Sequence, residues 1–225
     1  DGNLIYDHDS SRPFTPKYNP IELAYKDLSV TERDVLVTRS FIDLKPIEGL
    51  KLTLNVNYDL TNLRSKTRYA KGMGDQPQGS LYYSSDRVTT LTANQLANYS
   101  RSFGDHELDA LLGHESSAYR YASLEGSKEY LKFLTIDELG HYTKVGSLGS
   151  YTTNYNKESY FGRLNYSYDK RYNASVSFRR DGSSRFARKH RWGNFWSVGA
   201  GWNISSEAFM RDLTWIDELK LRGSH

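Results

Sequence analysis

Two histidine–glutamate pairs are the residues whose types come closest to a catalytic pattern. His106-Glu107 and His114-Glu115 each open like the helical zinc motif, in which a second histidine one turn later joins the first on the metal and the glutamate acts as general base. Ala110 and Ala118 occupy the positions where those second histidines would have to stand. Both pairs are therefore read as polar strand ends near a turn, and no metal ligand is assigned. Asp137/Glu138 and Asp217/Glu218 are carboxylate pairs, but glycoside hydrolysis needs its two carboxyl groups across a cleft. Both pairs fall in links and are expected to be solvated charge. Asp181-Gly182-Ser183-Ser184-Arg185 lacks the Gly-Lys-Ser/Thr of a phosphate loop and is read as a strand-to-loop turn. Gly199-Ala200-Gly201 lacks the third glycine of a dinucleotide fingerprint. Its glycines are expected to let bulky neighbours pack across a sheet, or to let a strand bend. The chain has no cysteine, hence no thiol nucleophile, thiolate zinc site or disulfide framework. No catalytic, cofactor-binding or metal residue is assigned, and the chain is not read as an enzyme.

Two groups remain that could bind. Arg185, Arg188, Lys189, His190 and Arg191, with Phe186 and Trp192, make a basic aromatic patch of the kind that meets nucleic acid. The balance of 30 basic against 27 acidic side chains, net +3, gives that partner no further support, and no nucleic acid is expected. Tyr82, Tyr83, Tyr119, Tyr121, Tyr151 and Tyr155 offer ring faces that could stack on sugars, or pack against one another or a partner protein.

The elements that carry these residues are strands. Leu50, Leu52, Leu54, Val56, Tyr58 and Leu60 fall on one face of an extended chain, with Lys51, Thr53, Asn55, Asn57 and Asp59 on the other. Tyr160–Tyr168, Tyr172–Arg179 and Trp192–Ile204 repeat the pattern; Asp34–Lys45, Thr89–Phe103, His106–Ser117 and Glu218–Ser224 are weaker candidates. Short links at Pro46–Gly49, Gly104-Asp105 and Asp169–Arg171 alternate with long ones expected at Thr61–Val88, Ala118–Lys157 and Asp181–Arg191. Ser205–Asp217 breaks the alternation, and its Ser205-Ser206-Glu207 start predicts an N-capped helical turn. Asp1–Arg33, with three prolines, is read as a loop or extension.

Alternating polarity in segments of about 10 residues, with links sorted by length, is the signature of an antiparallel transmembrane β-barrel with short periplasmic turns and long extracellular loops. Composition agrees. Mean hydropathy is −0.71 with only 37% apolar residues, yet 18 tyrosines are present, which suits a sheet with one greasy and one wet face. No apolar run approaches the roughly 18 residues of a membrane helix. Tyr166, Tyr168, Tyr172 and Trp202 are expected in the aromatic girdle at a membrane boundary. A cationic loop at an outer-membrane surface would face the phosphates of lipopolysaccharide.

From Glu158 onward the residues resemble a family. Ser159–Tyr166, Phe178-Arg179-Arg180-Asp181-Gly182-Ser183-Ser184-Arg185-Phe186, Trp192-Gly193-Asn194-Phe195, Ser205–Met210 and Leu219–Ser224 follow in the order and spacing of SusC-like TonB-dependent outer-membrane transporters of the RagA/SusC type; Pro46–Leu60 and Asp109–Glu115 look like upstream strands of the same barrel. The resemblance implies an all-β fold of 22 strands, of which residues 34–225 would supply about eight. It also implies a plug that this chain does not contain, energy from the TonB complex through regions outside it, and a SusD-like lipoprotein lid that captures glycans or peptides. Residence in the outer membrane of a Gram-negative bacterium follows, with lipid bilayer and lipopolysaccharide as neighbours. No substrate residue carries over, although polar lumen groups such as Asn55, Asn57 and Arg163 are candidates. His225 stands where the family commonly has a tyrosine, and Asp1 suggests a mature segment or internal fragment. The rival readings are a secreted β-sandwich that binds glycans, whose apolar stripes would meet in a dry interior, and a β-rich glycoside hydrolase.

Overall fold

An extended ribbon with one apolar face leaves its backbone groups open on both edges, so it needs a neighbour on each side. In the computed structural model, which describes residues 20–72, 78–132, 136–210 and 215–225, the neighbours are the chain's own strands. Helix α1 (Pro20–Lys26) precedes β1 (Leu28–Ile47), β2 (Leu50–Tyr69), β3 (Ser80–Phe103), β4 (His106–Leu131), β5 (Tyr142–Tyr168), β6 (Tyr172–Ser183), β7 (Trp192–Asn203) and β8 (Lys220–Ser224). The strands form one sheet in sequence order, so among the described residues β1 and β8 each keep an unpaired edge. That open order is what a segment of a larger barrel wall requires.

The tight turns are set by residues that tolerate a left-handed backbone. Asp169 and Lys170, between β5 and β6, both take positive φ (50° and 56°), as a type I′ hairpin turn demands. Gly49 has φ of 80° and accepts a hydrogen bond from the Ser100 amide at 2.9 Å. A Cβ there would lie 2.5 Å from the Ser100 carbonyl oxygen, so only glycine fits.

The described residues enclose no dry interior. Among the described residues the buried apolar side chains are Leu81 and Tyr142, while Leu52, Val56, Val176 and Val198 are 37–47% exposed. A soluble sandwich of this length would enclose those four between two sheets, so that rival fails.

Five regions differ from the sequence reading. The expected long loops Thr61–Val88 and Ala118–Lys157 are mostly strand, because β2 runs on to Tyr69, β3 starts at Ser80, β4 continues to Leu131 and β5 starts at Tyr142. The connecting links shrink to residues 70–79 and 132–141, and β6 likewise extends through Ser183, leaving 184–191 as the third long link. Asp1–Arg33 is not loop throughout: Pro20 takes the first position of α1, where its missing N–H costs nothing, and β1 begins at Leu28. Pro13 and Pro16 lie outside the described residues. The predicted helical turn is two short 3₁₀ turns, Ile204–Ser206 and Ala208–Met210, with no side-chain cap on the first.

The chain divides into two compact units. One comprises the residues up to Leu36, Asp59–Thr89 and Arg120–Thr153; it contains Leu81 and Tyr142 and is bound by polar pairs. Arg68 grips Asp137 through both carboxylate oxygens (2.7 and 2.8 Å), and Lys66 reaches Glu138 at 2.9 Å. Asp137 is therefore half-buried in an ion pair that ties it to β2, while Glu138 pairs with Lys66 and stays exposed to solvent. The other unit comprises Val37–Tyr58, Thr90–Tyr119 and Asn154–His225, and it carries the site.

Candidate functional site

Register decides which side chains share a face. Leu164 pairs with Val176 and Val176 with Val198; Gly162 pairs with Phe178 and Phe178 with Trp196. One face of β5–β7 is thus a continuous apolar surface, and it extends over Leu112, Leu52, Leu54 and Leu44, which line a shallow hollow of about 1130 Å³ with Leu164 and Val176. These side chains stay exposed within the chain, with Val176 at 47% and Val198 at 45%. Hydrocarbon is the solvent that accepts such a face.

Aromatic rows bound it. Toward the short turns, Phe103 stacks on His106 (5.3 Å between centroids), His106 meets Tyr168 (4.9 Å), Tyr168 meets Tyr172 (6.4 Å) and Tyr172 stacks on Trp202 (6.4 Å). This row contains the predicted Tyr168, Tyr172 and Trp202, and Tyr166 joins it by a 2.6 Å hydrogen bond between its hydroxyl and His106 Nδ1. A second row, which the sequence reading missed, runs His114–Tyr160 (4.7 Å) and Tyr160–Trp192 (6.1 Å). From Tyr168 to Tyr160, or Trp202 to Trp192, the rows are eight to ten residues apart, roughly 26–33 Å along a strand at ~3.3 Å per residue. At a tilt of ~40° that is about 20–25 Å along the membrane normal, the height of an outer-membrane barrel's apolar band.

The opposite face is made mostly of hydrogen-bonding groups. Asn55 Nδ2 donates to Asn94 Oδ1 (2.6 Å), Thr53 Oγ1 to Asp43 (2.6 Å), and Arg163 Nε to Asn165 (3.1 Å), while Ser177 and Ser197 hydroxyls meet at 2.7 Å. Toward the short turns this face bounds a hollow of about 720 Å³ lined by Ser100, Asp109, Asn165, Asn173, Ser175 and Arg222 among others. Gly199 and Gly201 lie on the same wall, where a Cβ on Gly199 would come 2.8 Å from Ser175 Oγ. Their cross-strand partners on β6 are Ser175 and Asn173 and on β8 Ser224 and Arg222, so Gly201 lies beside one long side chain and Gly199 beside small ones. Phe161 lays its ring over Gly113 and lies under the Arg179 guanidinium, 5.1 Å from the ring centroid.

The candidate chemical motifs dissolve in this geometry. His106 and Glu107, like His114 and Glu115, are successive strand residues and point to opposite faces. His114 instead meets Gln95 Oε1 at 2.6 Å and Glu158 at 3.4 Å. Among the described residues no group of three potential metal ligands comes together. Glu218 is ion-paired to Lys220. The basic loop is held locally, with Arg185 4.1 Å over the Tyr155 ring and Arg191 Nε donating to the Phe186 carbonyl at 3.2 Å. The six tyrosines are on strands rather than in loops. Tyr119 stacks on Tyr155 (4.6 Å), and Tyr121 packs against Tyr151 (5.3 Å). Tyr82 donates to Glu125 at 2.7 Å. Tyr121 donates to Asp86 at 2.8 Å, and that bond pushes its phenol pKa up to about 12.

Comparison with known proteins agrees with a barrel wall. Residues 2–225 match the family described as TonB dependent receptor-like, beta-barrel. The chain belongs to that family. The TonB-dependent receptor SusC of Bacteroides thetaiotaomicron is 35% identical over 132 residues, which cover 59% of this chain and 13% of SusC. TonB-dependent receptor P39 of Formosa agariphila is 28% identical over an alignment covering 99% of this chain and 22% of that protein. Among solved structures, the RagAB peptide importer in its open-open state superposes with a TM-score of 0.87 at 25% identity, covering 99% of this chain and 25% of that one. The chain thus spans about a quarter or less of these relatives. It is a length of TonB-dependent receptor wall in the outer membrane of a Gram-negative bacterium, from a family of transporters and not of enzymes. Among the described residues no helix is long and apolar enough to cross a membrane, and in this receptor family strands do the crossing.

Within the receptor wall, Glu207 is the feature that patterning did not reveal. Its carboxylate is 8% exposed and accepts from the Tyr172 hydroxyl (2.6 Å), Trp202 Nε1 (3.0 Å) and Arg171 Nη1 (2.9 Å). Arg171 also pairs with Asp169, and its carbonyl accepts from the Asn203 amide at 2.7 Å. The β5–β6 turn and the β7–β8 link are so locked together beneath the aromatic row. Hydrogen bonds from Tyr172 first, then Trp202 and Arg171, hold the Glu207 carboxyl below its ordinary pKa. The one sequence signal was a glutamate two residues beyond an expected cap.

Proposed function

We propose that this wall belongs to an importer of glycans or peptides that works with a SusD-like lipoprotein and draws energy from the TonB complex through regions outside this chain. The observation that carries the reading is the pairing of a lipid-height apolar face, bounded by two aromatic rows, with an inner face made mostly of hydrogen-bonding groups. A wall that only sealed the membrane would have no need of the second. One solved relative is a peptide importer, which points to the second of these cargo classes.

The chain's own residues supply position and selectivity. The Asn55–Asn94 and Arg163–Asn165 pairs present donors and acceptors to a polar solute without holding it by charge alone. The Tyr119–Tyr155 stack, flanked by Arg185 and by Lys157 at 5.6 Å, adds a rigid aromatic surface on which a sugar ring or peptide plane can rest. The experiment is uptake by cells lacking the full transporter and complemented with it. Labelled oligosaccharide and peptide pools should enter only with the transporter, and the lipoprotein should co-purify with it. Arg163→Ala should lower uptake while leaving the amount of folded transporter unchanged. Unchanged uptake on deletion, or no co-purifying lipoprotein, would overturn the proposal.

A further inference from the structure

The upper aromatic row contains a charge that a lipid-facing wall has no reason to carry. Arg180 follows Val176 and Phe178 on the apolar face of β6, directly across from Tyr160. Its guanidinium lies 4.9 Å over the Trp192 ring. Among the described residues neither Arg180 nor Arg191 has a carboxylate within salt-bridge distance. An arginine on the hydrocarbon side of a barrel is tolerated near the interface, where its charge can meet lipid phosphate. Beside it is a groove of about 680 Å³ lined by Leu91, Ala93, Ser116, Asn156, Arg191 and Trp192. Glu158 also lines it, with Oε1 bonded to the Tyr160 hydroxyl (2.5 Å) and His114 (3.4 Å).

We infer that this groove is a binding site for the phosphorylated, acylated sugar of the outer leaflet, the lipid A part of lipopolysaccharide. Three parts of that ligand find complements at the right heights. Its phosphate meets Arg180 and Arg191, each able to give paired N–H donors to phosphate oxygens. Its sugar hydroxyl and amide groups meet Asn156 and the free acceptor capacity of Glu158. Its acyl chains continue down the apolar face of Phe178, Leu164 and Val176. A glycerophospholipid supplies the phosphate and chains but not the ring with its amide donors, which is why the groove favours lipid A. The inference needs only the outer-membrane placement and not the identity of the cargo.

The test uses the full transporter in phosphatidylcholine nanodiscs containing lipid A, with bound lipid A counted by native mass spectrometry. Arg180→Gln with Arg191→Gln should reduce retained lipid A by about fivefold per arginine lost, with the folded band on unheated gels unchanged. On the wild type, bisphosphorylated lipid A should displace bound lipid A, whereas phosphate-free lipid A and phosphatidylglycerol should not. Equal retention by the double variant overturns the inference. So does displacement by phosphate-free lipid A, which would mean acyl contacts alone, or by phosphatidylglycerol, which would mean a site for any anionic lipid. If the double variant does not fold, the wild-type competition decides by itself.

Discussion

Replacing Gly113 by alanine should destabilise the receptor in a way that Phe161 controls. A Cβ built on Gly113 lies 2.3 Å from two carbons of the Phe161 ring and 2.9 Å from a third. Carbon atoms sit comfortably at about 3.5–4.0 Å, so the ring would have to retreat by roughly 1.2–1.7 Å. Retreat is obstructed, because the Arg179 guanidinium lies over the ring and is held by Asp181 (2.8 and 3.0 Å) and the Ser159 hydroxyl (3.2 Å). Overpacking of that kind costs about 1–3 kcal/mol. In a Phe161→Ala background the obstruction is gone, and alanine's lower chain entropy should make the same Gly113→Ala change neutral or favourable by about 0.5–1 kcal/mol. The sign of the effect thus reverses between backgrounds. Urea midpoints of the full transporter in detergent, for the wild type, both single variants and the double, measure the coupling. A Gly113→Ala penalty of equal size with and without the ring would refute the argument that an aromatic lid explains the glycine.

Three further outcomes follow from the same geometry. Glu207 is held below its ordinary pKa of 4.5, so its contribution to the folded state is complete above that value and is lost as pH falls through the lower folded value. The wild type's unfolding midpoint should therefore drop on acidification below about pH 4.5, and Glu207→Gln should show a lower but flatter profile; parallel profiles would refute this. Val176→Arg puts a charge at mid-height of the lipid face and should cost about 2–4 kcal/mol of barrel stability, whereas Asn194→Arg, level with Arg180, should cost about 0–1 kcal/mol. Asp137→Ala removes both carboxylate bonds of Arg68, leaving its bond to the Lys26 carbonyl, and should make the chain around residue 137 cleavable by protease added outside intact cells, read as a new product; an unchanged digest would mean the ion pair is dispensable.

How much of this was legible in the sequence depends on what each face meets. Leu50–Leu60 and Trp192–Asn203 were readable because hydrocarbon lies on one side and water on the other, and only that contrast writes a two-residue alternation into the chain. Residues such as Thr61–Tyr69 and Tyr142–Asn156 are equally extended, but both of their faces tolerate polar side chains, so the alternation fades and they resemble loop. Tyr168 and Tyr172 flank a short turn and were readable as girdle. Tyr160 and Trp192 were not, since nothing local brings His114, Tyr160 and Trp192 into a row. Glu207 was not legible for the same reason, since Tyr172 and Arg171 lie 35 and 36 residues earlier in the chain.

The residue order by itself determined that the chain is a meander of membrane strands, which face of each meets lipid, and where the tight turns fall, because those properties depend on neighbours within a few positions. Tertiary structure alone decided how far each strand runs beyond the membrane, which aromatics share a height, and which charges are paired. Those outcomes belong to cross-strand register, and register is fixed by the summed fit of whole strands rather than by any residue's own type.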